Sequence, residues 1–255
     1  MFIDPALGDY HNEGSLRPIT IYAPPGSVLN AQYPATVGDS PVSMGHQIIE
    51  SVVAAMSKAV PERAIGCWGK RYGHYIFGHD PRTDERYVVT TFDMDGGAGA
   101  VRGFDGFEGG TSIGALGEVN RGNVEEVEAR FPWRTRRWEF AQDTSGAGNW
   151  RGASGIHWEV ENVGGDAGIA TGSSDGEIVR APGALGGEPT PNSRTVRWRG
   201  EEKKTLRGHR LYDLKPGDII LKISGGGAGV GDPTERDPEL VRMDVVKGFI
   251  SIEKA

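Results

Sequence analysis

The chain has one cysteine, Cys67, among its 255 residues. An internal disulfide is therefore impossible, and a reducing, cytoplasmic setting is expected. No CxxC or HExxH pattern is present, so the common zinc and redox spacings are missing. No apolar run reaches the roughly 18 residues that a membrane helix needs. Met1-Phe2-Ile3-Asp4-Pro5 has neither the basic nor the apolar region of a signal peptide. Positive charge is also scarce: the net charge is −7, which argues against general nucleic-acid binding. Apolar residues make up only 37% of the chain. A soluble, cytoplasmic protein is the class expected.

What the chain has in excess is glycine, 40 residues of it, without a collagen period. The densest run follows the strand-like Arg86–Phe92 and extends from Gly96 to Gly110. Asp93, Asp95, Arg102, Phe104 and Asp105 are set in or beside it. Glycine lets backbones and ligands approach closely, at an entropic cost. Asp95, Arg102 and Asp105 are therefore candidate catalytic residues. Asp93 and Phe104, with His74 and His79 from the aromatic segment 66–85, are candidate substrate contacts. The aspartates suit a divalent cation or a substrate, and Arg102 suits a carboxylate or phosphate. Aspartate beside glycine is equally the composition of a turn.

A second run, Gly225–Gly231, follows an apolar strand. It lacks the Gly-Lys-Ser/Thr of a P-loop, and Asp232-Pro233 interrupts the helix that a dinucleotide fingerprint requires. A structural turn is expected there. Cys67 reads as structural rather than nucleophilic, and His46 with Glu50 as a solvated helix pair.

Periodicity gives one long helix from Pro41 to Val60, with Ile48, Ile49, Val52, Val53, Met56 and Val60 on one apolar face. A C-terminal helix is capped by Asp237, opened by Pro238 and closed by Gly248. Strands are expected at Leu16–Ala23, 86–92, 135–140, 156–160, 195–198, 218–223 and 249–252, with loops over 164–194. The fold class is mixed α+β, β-rich with long Gly-rich loops. It reads as one domain over 1–255, with a sub-boundary near 132–135.

Three stretches carry a resemblance. Asn12-Glu13-Gly14-Ser15-Leu16-Arg17-Pro18, continued by Ala23-Pro24-Pro25-Gly26-Ser27-Val28-Leu29-Asn30, is the first. Asp143-Thr144-Ser145-Gly146-Ala147-Gly148-Asn149-Trp150-Arg151-Gly152 is the second. Gly225–Pro233, continued by Glu235-Arg236-Asp237-Pro238-Glu239, is the third. In this order they resemble the C-terminal half of the hydantoinase B/oxoprolinase family. Residues 96–114 depart from the hydantoinase pattern and look closer to the acetone and acetophenone carboxylase branch.

The resemblance implies one component of a heteromeric ATP-dependent enzyme. Its partners would be a kinase-like large subunit of hydantoinase A type and a subunit supplying the missing N-terminal half. ATP and a divalent metal (Mg, Mn or Zn) would be bound mainly by those other subunits. The implied reaction is phosphorylation and joining of a ketone and bicarbonate to a β-keto acid. Cyclic-amide hydrolysis is the alternative, and a non-catalytic half-subunit is a third.

Overall fold

The computed structural model describes residues 12–38, 40–91, 96–110, 113–115, 122–172 and 175–255. The described helices are α1 (Ser40–Ala59), α2 (Val124–Arg130) and α3 (Pro238–Val246). The strands are β1 (Tyr75–Asp80), β2 (Glu85–Thr90), β3 (Trp133–Ala141), β4 (Gly155–Asn162), β5 (Ala167–Ala170), β6 (Arg194–Arg199), β7 (Glu202–Leu206), β8 (Leu211–Leu214) and β9 (Ile219–Ile223). They form two antiparallel sheets, ordered β2-β1-β5-β8 and β3-β4-β9-β6-β7. The fold is thus mixed α+β and β-rich, as the sequence indicates.

Strand alternation turns one face of each sheet toward the other. Ile76, Tyr87, Ile169 and Leu214 from the smaller sheet meet Ile156, Trp158, Val160, Leu206 and Ile220 from the larger in one buried cluster. Trp133 Nε1 donates to the Tyr87 hydroxyl at 3.0 Å, a directional link between the sheets inside this apolar layer.

Beside this layer, Gly225–Gly231 forms neither a turn nor a phosphate loop. It runs as a thread between other segments of the chain. Gly226, Gly227, Ala228, Gly229, Val230 and Gly231 donate their amides to the carbonyls of Thr144, Ala153, Cys67, Glu188, Trp150 and Ala184. Ala228 O in turn accepts from Ala100 N, and Gly227 O from Gly146 N. A methyl group at Gly227 would overlap the Ala98 carbonyl, and one at Gly229 the Ala147 carbonyl. Glycine is needed here because backbone lies directly against backbone.

Several expectations are corrected. Leu16–Ala23 pairs with no described strand; residues 13–16 form a short 3-10 helix, and the following arm is irregular and largely solvent-facing. Pro18 removes a ladder donor there. Ser251 precedes another 3-10 turn (Ile252–Lys254), so 249–252 is not a strand. The region expected to be loop, 164–194, contains β5. The caps of α3 are as expected: Asp237 accepts from Glu239 N, and Gly248 has φ +78°.

The largest correction concerns α1. Its buried positions include His46, Glu50, Val53 and Ser57, whereas Ile48, Ile49 and Val52 are 42%, 38% and 55% exposed. The helix is held inward by hydrogen bonds. Lys70 donates to Glu50 and to Gln47 Oε1. Ser57 Oγ bonds both the amide and the carbonyl of Ile65, and His46 Nδ1 accepts from Gly114 N at 3.0 Å.

The thread makes a sharp prediction. Gly227→Ala should cost about 3 kcal/mol or more, because two backbones cannot both yield. Gly45→Ala, in α1 with open space around it, should be neutral or stabilising by about 0.5–1 kcal/mol. Thermal melting of both variants checks the contrast.

Candidate functional site

The second and third signature stretches meet at one charged clasp. Asp105 comes from the first glycine run, Arg151 from the loop before β4, Arg236 from the turn before α3, and Asp244 from α3. Arg236 reaches Asp105 through both guanidinium nitrogens, at 2.8 and 2.7 Å, and Asp244 at 2.8 Å. Its Nη1 also donates to Asn149 O at 2.9 Å. The Arg151 amide donates to Asp105 at 2.8 Å, and its guanidinium approaches Glu108 at 3.1 Å and Asp244 at 3.2 Å. That guanidinium also lies over the Phe249 ring, 4.6 Å from its centroid.

Burial opposes ionisation of Asp105. The Arg236 fork, with the amide and charge of Arg151, overcomes that penalty and holds the carboxyl below the usual aspartate range. Asp105 is therefore an ionised, fully engaged ion-pair partner in this structure.

Arg151, Arg236 and Asp244 form the floor of a cleft of 590 Å³, whose rim includes Asp143, Glu188 and Arg180. The Nε atom of Arg236 is buried with no hydrogen-bond partner among the described atoms. Charges of both signs face the cleft, so it suits a small polar molecule carrying both donors and acceptors better than a simple anion.

A second polar cluster lies under α1. Burial raises the Glu50 carboxyl, against the opposing charge of Lys70. Burial likewise raises Asp175 and lowers His46, with the Arg71 charge adding to it. The expectation of a solvated His46–Glu50 pair is thus corrected: both are buried. Burial and the Glu50 charge push the Cys67 thiol up to about 12. It is protonated at neutral pH and donates to Glu50 O, which fits the structural reading of this residue.

The nominated residues are distributed over separate places. His74 is buried: Nδ1 lies 2.9 Å from Gly73 O and therefore carries the proton, and Nε2 lies 2.8 Å from Thr195 Oγ1. Burial, reinforced by the Lys222 charge, holds it neutral, well below the ordinary histidine range. Lys222 donates to Thr91 Oγ1 at 2.9 Å beneath the Tyr72 ring. His79 sits on the outer face of β1, 2.9 Å from Asp84. Arg102 and Phe104 lie in an exposed bend; Arg102 donates to Pro61 O at 3.3 Å, and Phe104 is 75% exposed. Asp93 and Asp95 lie outside the described residues. No described contact joins His74 or His79 to Arg102 or Asp105.

Among the described residues, no group of three His, Cys, Asp or Glu could hold a metal ion. The Gly225 amide is committed to Ser193 Oγ and those of Gly226–Gly231 to carbonyls, so the thread cannot cradle a phosphate. The described residues thus provide no such metal cluster, and the thread provides no phosphate cradle.

Colinear stretches that converge on one clasp are the mark of a shared fold, and the comparisons agree. A sequence model of the hydantoinase B/oxoprolinase family matches residues 1–233. The chain belongs to the hydantoinase B/oxoprolinase family. It is 30% identical to the beta chain of the caprolactamase of Pseudomonas jessenii over 253 residues, covering 96% of this chain and 43% of that one. It is 28% identical to the B chain of a putative D-/L-hydantoinase of Pseudomonas sp. (strain NS671), covering 96% of this chain and 40% of that one. The crystal structure of the ATP-dependent caprolactamase from Pseudomonas jessenii superimposes with a TM-score of 0.84 at 28% identity, over 95% of this chain and 43% of that chain. A nucleotide-free acetone carboxylase structure shares the fold, with a TM-score of 0.65 at 19% identity over 74% of this chain and 29% of that one. The chain therefore spans less than half the length of these relatives.

Arg151 and Arg236 were visible in the sequence only as members of the signature stretches; Glu108 and Asp244 gave no signal. Removing the shared arginine leaves two carboxylates facing each other in a half-buried site. Arg236→Ala should cost about 3–5 kcal/mol, read as a large drop in melting temperature. Adding Asp105→Asn to it should recover part of the loss.

Proposed function

We propose that the chain is the C-terminal half of a hydantoinase B-type subunit, folded as one domain, in a heteromeric ATP-dependent complex acting on the carbonyl of a small molecule. The carrying observation is the likeness along 96% of the chain to the beta chain of a caprolactamase, at 30% identity. The likeness to the B chain of a putative hydantoinase has the same extent. These favour hydrolysis of a cyclic amide. The likeness to acetone carboxylase, at 19% identity, supports the fold. The carboxylase reading rests on residues 96–114, whose pattern departs from that of the hydantoinases.

In this reading a kinase-like partner of hydantoinase A type uses ATP to activate the carbonyl oxygen. A second polypeptide or segment supplies the N-terminal half, together with any divalent metal. This chain's own share is positional. The clasp fixes the signature loops against one another, and the cleft above it offers guanidinium and carboxylate groups to a polar ligand while limiting access of water. Activity in a cytoplasmic setting is part of the same proposal.

The test uses the assembled complex with ATP. Caprolactam, hydantoin and 5-oxoproline form one panel; acetone or acetophenone with labelled bicarbonate forms the other. The expected result is an ATP-dependent ring-opened amino acid. Ketone-dependent fixation of label would transfer the assignment to carboxylation, and silence in both panels would refute an ATP-dependent role.

A further inference from the structure

Helix α1 leaves part of its apolar surface outside the core of this chain, and the arm before it leaves nearly all of its own outside. From Pro18 to Val37 the only charge-free stretch of this length continues without a break. No described residue between 12 and 38 is buried. Ile21, Tyr22, Val28 and Tyr33 are 86%, 81%, 69% and 99% exposed. The arm is nevertheless ordered by its own turns, such as Gly26 N to Asn30 O at 2.8 Å and the Asn30 side chain to Ala23 O at 2.9 Å. Its second part borders a groove of 640 Å³ that reaches Met44 on α1. From there the exposed apolar stripe Ile48, Ile49 and Val52 continues along the helix. The opposite face of α1 is already fastened through Glu50, Ser57 and His46 to the rest of the chain.

A continuous apolar surface of this kind marks an interface. The absence of Lys and Arg over Pro18–Gly38 removes the cationic attraction that binds nucleic acid or an anionic membrane. More than half of the caprolactamase chain has no counterpart here, although the shared portion superimposes with a TM-score of 0.84. In the caprolactamase that remainder belongs to the same chain as the shared portion. The arm also holds the Asn12–Asn30 signature stretch, in which no residue is buried.

We propose that the arm and the apolar stripe of α1 form one docking surface, and that its occupant is the complementary half of the hydantoinase B-type fold, in the same polypeptide or in a companion one. This rests on the family-half reading above. α1 then becomes a wall shared by both halves, with the Glu50–Lys70 pair, hydrogen bonds and Val53 on one side and the Ile48, Ile49 and Val52 stripe on the other.

The experiment places a photo-crosslinking amino acid at Tyr33, at Val52 and, as a control, at the outward-facing Val88 of β2, in the assembled complex. Mass spectrometry then maps the cross-links. Tyr33 and Val52 should both link into the sequence matching the uncovered half of the caprolactamase beta chain, and Val88 should not. The double variant Ile49→Glu/Val52→Glu should retain that half at least 10-fold less well when it is a companion chain. Cross-links confined to a second copy of this chain or to a polypeptide lacking that sequence, or absent from both positions, would overturn the proposal. ATP-dependent turnover by the unmodified complex is scored separately. Turnover with cross-links elsewhere sinks the surface alone; correct cross-links without turnover sink the catalytic reading alone.

Discussion

Backbone-to-backbone contact along Gly225–Gly231 is the constraint on which the rest of the structure depends. Six consecutive amides of one thread bond carbonyls of segments far apart in the chain. Such an arrangement tolerates no side chain at the closest approaches, because a methyl at Gly227 or Gly229 would overlap a neighbouring carbonyl. It also explains the glycine content of the partner segments, at 66–69, 96–106 and 146–152, as the other side of the same contacts. Each glycine costs conformational entropy, so the closure must be supported from outside. The Asp105–Arg236–Asp244–Arg151 clasp provides that support by tying the first glycine run and the loop before β4 to α3.

The same closure decides what the site can do. Amides committed to carbonyls cannot receive phosphate oxygens, so the glycine run is a structural spine rather than a nucleotide loop. Asp105, held ionised by Arg236, is an ion-pair partner before it is anything else. What remains open to a ligand is the cleft above the two arginines. Helix α1 turns Glu50, His46, Ser57 and Val53 inward and Ile48, Ile49 and Val52 outward. The chain thus carries a buried apolar layer between its sheets and exposed apolar residues on α1 and the arm.

Much of the fold was legible because its signals are local. β-branched alternation marked β2, β4, β6 and β9, and Asp237, Pro238 and Gly248 delimited α3 through capping chemistry that acts over a few residues. The family was legible because three stretches occur in a fixed order. The orientation of α1 was not, because apolar periodicity finds a face without saying what covers it. The face that turns inward is set by Lys70, which lies 20 positions from its Glu50 partner. The clasp was hidden for the same reason, since Asp105 and Arg236 are 131 positions apart. Leu16–Ala23 has the pattern of a strand but pairs with none of the described strands.

Native-state hydrogen exchange on the thread tests the central claim most directly. If Gly225–Gly231 is the spine, the amides of Gly226 to Gly231 exchange only through global unfolding, as slowly as those of Val160 and Ile220 in the sandwich core. Exchange of these glycine amides at the rate of a surface turn such as Gly200 would contradict the account.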